Sequence, residues 1–332
     1  MKHTVRICFL LLALFWTLAW LAAGWNAAPE AAPTLPEPAP AAVSDAAMTL
    51  RVLHGGAVEE MDMAAYLLGV LRAEMPASFE LEALKAQAIA ARTYTLYKMR
   101  GGLIANHPQA DACDDITCCK AYLTAADAAA AWGGMALYYE EKLARAVAET
   151  DGQVVLYDGE PILAVFFSSA NGHTQNAGAV WVEDLPYLQS VTSPEGEDLV
   201  PNYYSVASFP AERFRALFLA AYPEAELSGP PESWVRDVVR SDAGFVTSLT
   251  VGGVRVRGNE LRTILSLRSP SFSVSADAGG LTFRVTGYGH GVGMSQYGAN
   301  ALAQQGLRAE EILTHYFTGT QVGSWRGTLA KS

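Results

Sequence analysis

Asp62-Met63-Ala64-Ala65-Tyr66-Leu67-Leu68-Gly69-Val70-Leu71-Arg72-Ala73-Glu74-Met75-Pro76 is the stretch from which the rest of the chain can be read. Asp is a residue type that caps helix N-termini, and Tyr66, Leu67, Val70 and Leu71 recur at helical spacing, so a helix is expected from Asp62 through Ala73. Pro76 disfavours helical geometry at Met75 and ends it. Ser78 then reads as the cap of a second helix over residues 80–99, lined by Leu84, Ala88, Ala91 and Thr95. Further helices are expected over 125–132, 211–221, 259–267 and 299–317. Strands are expected over 48–53, 146–149, 154–157, 162–167, 272–275 and 282–286, with a hairpin around Gly252-Gly253. Helices and strands segregate rather than alternate, which predicts an α+β fold with mostly antiparallel strands in one large globular ectodomain.

Outward from that stretch the chain divides into four. Residues 1–25 carry Lys2 and Arg6 ahead of an apolar run from Ile7 to Trp25 that Thr17 alone interrupts. Roughly 20 such residues cross a hydrocarbon core, so a single transmembrane signal-anchor is expected, with the N-terminus in the cytoplasm and the body outside. A cleaved signal peptide is the alternative, since Ala22, Ala23 and Gly24 are small; both readings put the body outside. Residues 26–47 are Pro- and Ala-rich, with prolines at 29, 33, 36, 38 and 40, and read as an extended tether. Residues 48–325 form the expected folded domain and 326–332 a tail. Of the 332 residues 51% are hydrophobic, enough to bury a core, and the formal net charge is −11. Such a surface repels phosphate backbones, so no nucleic-acid partner is expected.

Four groups of residues carry chemistry. Glu74, at the last turn of its helix, faces the negative end of the dipole, and Ala73, Met75 and Pro76 desolvate it; both effects raise a carboxyl pKa. A Glu kept protonated can donate to a glycosidic oxygen; a solvated helix-end Glu is the alternative. Lys85 and Arg92 lie seven apart on one face, where they either bind substrate or form an exposed stripe. His107, Cys113 and Cys119, six apart, with Cys118 adjacent, suit zinc; a disulfide from Cys113 to Cys118 or Cys119 is the rival. The loop Ser168-Ser169-Ala170-Asn171-Gly172-His173-Thr174 and the run Gly287-Tyr288-Gly289-His290-Gly291-Val292-Gly293-Met294-Ser295-Gln296-Tyr297 offer hydroxyls, amides and an imidazole suited to sugars, or are simply polar turns.

Leu68 to Pro76, then Ala83-Leu84-Lys85-Ala86-Gln87-Ala88-Ile89-Ala90-Ala91-Arg92-Thr93-Tyr94, resembles the hallmark of the stage II sporulation protein D family. Ser168-Ser169, Asn171-Gly172, Trp181, Pro186-Tyr187-Leu188 and Gly289 to Gln296 agree with it in order. The resemblance implies a membrane-anchored lytic transglycosylase cleaving the MurNAc–GlcNAc strands of peptidoglycan, with 1,6-anhydro products, during engulfment in endospore formation. It implies stage II sporulation proteins M and P as partners and leaves a homodimer open. It makes Glu74 the catalytic glutamate, with Lys85, Gln87 and Arg92 around it, and makes His107, Cys113 and Cys119 a structural zinc site. Ser168, Ser169, Asn171, His290 and Gln296 are expected to hold the glycan. Cys118 departs from the family pattern, and no role is carried onto His173. A different class of function is a glycan-binding module that hands strands to an amidase without cutting them. A third is a hydrolase with catalytic zinc.

Overall fold

The computed structural model describes residues 43–101, 106–181 and 184–325. The apolar run 7–25, most of the tether and the tail lie outside the described residues. Among the described residues no helix is long and apolar enough to cross a membrane.

The fold is α+β, with helices packed on small sheets whose strands are mostly antiparallel. It opens with β1 (Thr49–His54) and β2 (Ala57–Asp62), turned through Gly55 and Gly56, both at positive φ. Next come α1 (Met63–Glu74) and α2 (Leu81–Arg100), then β3 (Ala112–Cys113), which runs parallel beside β1. Helices α3 (Ala125–Trp132) and α4 (Ala136–Ala148) follow, then β4 (Gln153–Tyr157), β5 (Glu160–Pro161), β6 (Phe166–Phe167) and a single turn, α5 (Ala177–Val180). The middle of the chain holds β7 (Tyr204–Pro210), α6 (Ala211–Ala221), β8 (Val235–Arg240), β9 (Val246–Val251), β10 (Val254–Arg257), α7 (Gly258–Leu265), β11 (Phe272–Asp277) and β12 (Gly280–Thr286). It ends with β13 (Met294–Ser295), α8 (Gln296–Gln304), α9 (Ala309–Tyr316) and β14 (Gln321–Ser324).

Among the described residues two large hydrophobic cores form, beside a small buried cluster of Cys113, Cys118 and Cys119. The first surrounds α2, an alanine-rich helix whose small side chains let α1, α4, α8, α9 and β4 approach it closely. The second belongs to the middle segment, where Phe214, Phe218, Trp234, Phe272 and Phe283 pack between α6, α7 and the sheets β10-β9-β8 and β11-β12-β7. After β12 the glycine-rich run returns to the first core and pairs there in parallel: Met294 opposite Phe166 and Ser295 opposite Phe167. That short pairing brings the serine loop that follows β6 beside the start of α8.

Asp62 caps α1 as expected, its carboxylate accepting from Ala65 N at 2.8 Å. Five local expectations are corrected. Ser78 does not cap α2: Glu80 is the N-cap, and Asn300 Oδ1 from α8 takes its amide at 2.8 Å, a tertiary cap that no local pattern reveals. Residues 146–148 are the end of α4, where Leu143, Ala146 and Val147 bury one helical face. Of 162–167 only Phe166–Phe167 pair as strand. The stretch 299–317 is two helices, interrupted at Gly306 (φ +96°) and restarted at Arg308, whose amide Glu311 accepts at 2.8 Å. Residues 43–47, read as tether, pack on the domain: Val43 N bonds Trp325 O, and Asp45 is buried.

Candidate active site

Glu74 is the last residue of α1 and is half-buried. Its Oε1 accepts from Ala121 N at 3.0 Å. Burial raises its pKa, opposed by the nearby charge of Lys120, the Ala121 hydrogen bond and the Gln296 amide. Gln296 comes close enough to favour the ionised carboxyl, yet its buried Nε2 completes no well-aligned hydrogen bond. It stands in the first turn of α8, which Ser295 caps.

Lys120 is the residue that sequence reasoning missed. It is buried, with Nζ 3.8 Å from the ring centroids of both Tyr94 and Phe166. Burial draws its pKa down to about 8, against the pull of Glu74 and Cys119. A lysine one residue past a cysteine pair carries no sequence signal for a catalytic neighbour. Its place follows from the loop that bears it, strapped to β1 by Arg51–Asp111 and His54–Asp114 contacts.

His290 also contacts Phe166, through the latter's backbone carbonyl. Its Nδ1 accepts from Val292 N at 3.1 Å, so its Nε2 is the donor to Phe166 O at 3.2 Å. Burial, with Lys120 and Arg262 nearby, drops its pKa to about 3, so the ring is neutral. Both nitrogens are committed to backbone. This corrects the expectation that His290 grips the glycan by hydrogen bonds; its rings of contact, Trp181 and Phe167 at 5.6 Å, make an apolar wall instead.

Other expected substrate contacts divide. Ser168 and Ser169 are at the site: Ser168 O accepts from Tyr297 N, and Ser169 exchanges backbone bonds with Tyr288 while its buried hydroxyl has no partner. Asn171 faces away, donating to Ala243 O at 2.9 Å and Ser271 Oγ at 2.8 Å, and so ties the serine loop to the second core. Arg92 is buried against Asp45, at 2.7 and 2.5 Å, with a further bond to Gln153 O. A glycan cannot reach it. Lys85 pairs with Glu82 and Glu149. Gln87 is fully buried in the alanine core, and neither its oxygen nor its nitrogen has a partner. The structure therefore does not bring Lys85, Gln87 and Arg92 together around Glu74. His173 is exposed and pairs with Thr192 through backbone.

A buried carboxylate that sequence reasoning also passed over, Glu195, joins these pieces. It accepts from Ala170 N at 2.6 Å, from Ser193 Oγ at 2.6 Å and from Ser295 Oγ. One side chain thus fixes the serine loop to the cap of the helix that carries Gln296.

The imidazole of His107 and the sulfurs of Cys113, Cys118 and Cys119 lie within 4.8 Å of one another. His107 Nε2 is 3.3 Å from Cys119 Sγ, and its Nδ1 is held by Ala110 O, which leaves Nε2 for a metal. All three thiols are free, which goes against the disulfide alternative. Burial pushes the Cys113 and Cys119 thiols up, so thiolates here need a cation beside them. Three sulfurs and one imidazole, converging, fit tetrahedral zinc. Cys118, whose part the sequence left open, places its sulfur with the other three as a candidate fourth donor.

A family model described as "Stage II sporulation protein" matches residues 54–157, which hold α1, α2 and the cysteine cluster. The chain is 36% identical to stage II sporulation protein D of Bacillus subtilis strain 168, covering 80% of this chain and 75% of the relative. It is 34% identical to the protein of the same name from Bacillus amyloliquefaciens, covering 82% and 78%. An amidase enhancer of Bacillus subtilis is 28% identical over 78% of this chain and 40% of its own length.

Proposed function

This chain belongs to the stage II sporulation protein D family, and on that premise we propose that it is a lytic transglycosylase cleaving peptidoglycan glycan strands during endospore formation. The observation that carries the reading is Glu74: a carboxyl with a raised pKa, half-buried between Lys120, Ala121 N and Gln296. A hydrolase of glycosidic bonds uses two carboxyls, one for the sugar oxygen and one for water or the anomeric carbon. A transglycosylase needs one, because the nucleophile belongs to the substrate.

Protonated Glu74 gives its proton to the glycosidic oxygen as the bond from C1 of N-acetylmuramic acid to that oxygen breaks. The resulting carboxylate takes the proton of the C6 hydroxyl while O6 bonds to C1, closing the 1,6-anhydro ring and restoring the acid. Lys120 and Ala121 N steady the transient carboxylate, and the Trp181–His290 wall packs against the sugar. His107, Cys113, Cys118 and Cys119 would hold zinc, whose part is to clip the loop that delivers Lys120 and Ala121. Residues 7–25 would anchor the chain in the membrane, and by family likeness stage II sporulation proteins M and P are its partners.

The test is mass spectrometry of stem-peptide-free glycan after incubation. New 1,6-anhydro ends that vanish with Glu74→Gln support the reading; anhydro ends that persist in that variant defeat it. The likeness to an amidase enhancer favours a second reading, in which the chain binds strands and stimulates a partner amidase. It predicts strand binding with no anhydro ends from either protein.

A further inference from the structure

Apart from Glu74 and its neighbours, the glycine-rich run borders a second feature. Arg262, Thr263, Ser266, Leu267, Arg268 and Tyr288 line a cavity of about 300 Å³. Two of its six residues are arginines, in a chain with a formal net charge of −11. Among the described residues neither guanidinium has a carboxylate within ion-pair distance. Arg262 spends Nε on Arg268 O at 3.2 Å and Nη1 on Asn259 Oδ1 at 3.3 Å. Arg268 stacks its guanidinium 4.2 Å above the ring of Tyr288, and its Nε is buried with no partner. A desolvated guanidinium nitrogen lacking an acceptor carries a cost that a bound anion removes.

The cavity is also wired to the site already described. Arg268 O accepts from Gly289 N at 2.9 Å, so the peptide before His290 hangs from the same residue that lines the cavity. Arg262 acts electrostatically on His290, as Lys120 does.

We propose that Arg262, Arg268 and Tyr288 form a carboxylate-binding subsite that engages an anionic substituent of the glycan strand presented to Glu74. The inference rests on the peptidoglycan reading above for its substrate. The planar fork of arginine matches a carboxylate with two parallel hydrogen bonds, and Tyr288 holds one such fork flat and ready. Peptidoglycan offers the group from two sources: the lactyl carboxylate of muramic acid, free once the stem peptide is removed, and the carboxylates of the peptide itself. A positive spot on an otherwise acidic surface would draw either and set the register of the strand relative to Glu74.

The experiment compares, on the full-length chain at low salt, four probes: denuded strands, the same strands with lactyl carboxylates converted to methyl esters, peptide-bearing strands, and neutral N-acetylglucosamine oligomers. The subsite predicts that one carboxylate-bearing strand binds roughly 10- to 100-fold tighter than the ester. Tighter denuded strands assign the lactyl group, and tighter peptide-bearing strands assign the peptide. The preference should shrink as salt rises from 0.05 to about 0.5 M in the unaltered protein, which needs no variant. Arg268→Gln should abolish it while leaving ester binding alone, and Arg268→Lys should restore part. An ester bound as tightly as both carboxylate-bearing strands, or a preference untouched by Arg268→Gln in a protein that melts like the parent, overturns the proposal. Anhydro ends are measured in the same samples. Cleavage without carboxylate preference sinks the subsite alone, and preference without cleavage sinks the transglycosylase reading alone.

Discussion

Ala121 N donates to Glu74 Oε1 at 3.0 Å, and Ala121 stands two residues after Cys119. The Glu74 carboxyl is therefore braced by the loop that closes on the cysteine–histidine cluster. Met75 and Pro76 end its helix on one side, and this loop amide holds its carboxyl on the other. Any change that loosens the cluster reaches the acid through two peptide bonds.

Metal removal tests that linkage. If zinc clips the loop, the purified chain should carry about one zinc per molecule. Chelation or Cys119→Ser should lower both the melting temperature and the rate of cleavage, because the brace on Glu74 goes with the fold of the loop. Catalytic zinc predicts a different split: activity lost with the melting curve nearly unchanged. Cys118→Ser, read by metal content and affinity, asks whether a fourth sulfur closes the site; zinc held as tightly without it would show that it does not.

The raised pKa of Glu74 gives a stability test that involves no substrate. Its folded value lies above the ordinary 4.5, so the ionised form is the one that the fold disfavours. The native state then binds the extra proton between the two values, and stability falls as pH rises through that window. Glu74→Gln removes the penalty. Its melting temperature should match the parent near pH 4 and exceed it increasingly toward pH 7. A gap that stays constant with pH would mean that the carboxyl titrates normally. The forward reaction of the parent should fade over the same rise in pH, as the acid form is lost.

Arg92 should behave as a structural residue. It and Asp45 are almost wholly buried, side chains 1% and 2% exposed, and each is the other's charge partner. Removing one leaves the other charged and unpaired in the core, which costs about 3–5 kcal/mol. Arg92→Met and Asp45→Asn should therefore destabilise alike, measured by urea unfolding, with glycan affinity of the folded fraction unchanged. A loss of affinity in a variant of normal stability would return Arg92 to the substrate site.

The sequence made the local features visible and left the tertiary ones hidden. Asp62, the apolar stripe of α1 and Pro76 announced a helix that ends at Glu74, because capping and proline geometry act over a few residues. The helices at 125–132 and 211–221 were legible for the same reason. Arg92 was misread because its partner is 47 residues away, in a stretch whose prolines and alanines looked like tether. Lys120 and Glu195 were missed because their partners are distant in sequence: Glu74 and Phe166 for Lys120, Ala170 and Ser295 for Glu195. The cap of α2 came from Asn300, 220 residues distant, and no pattern near Ser78 reports that. Family likeness located Glu74 and the cysteines, but the division of labour around them is a property of packing.

Gly298 offers the sharpest test of the buried knot around Glu195. It lies in the first turn of α8, and a methyl group there would run into Tyr316 Oη, Ser193 Oγ and Glu195 Oε2. Those atoms are already bound to one another, Ser193 Oγ lying 2.6 Å from Glu195 Oε2 and 2.7 Å from Tyr316 Oη, so none can yield alone. Helix propensity by itself would favour alanine over glycine by about 1 kcal/mol. Gly298→Ala should instead destabilise, by roughly 1–3 kcal/mol of overpacking, and more if the carboxylate is forced off Ala170 N and Ser295. Gln296, two residues earlier on the same turn, would shift with it, so cleavage should fall further than stability explains. Tyr316→Phe deletes one of the three obstructing atoms. Combined with Gly298→Ala it should cost less than the sum of the two single changes, a coupling that a double-mutant cycle in urea measures directly. Strict additivity would mean that the helix moves as a rigid body and that Glu195 does not register its position.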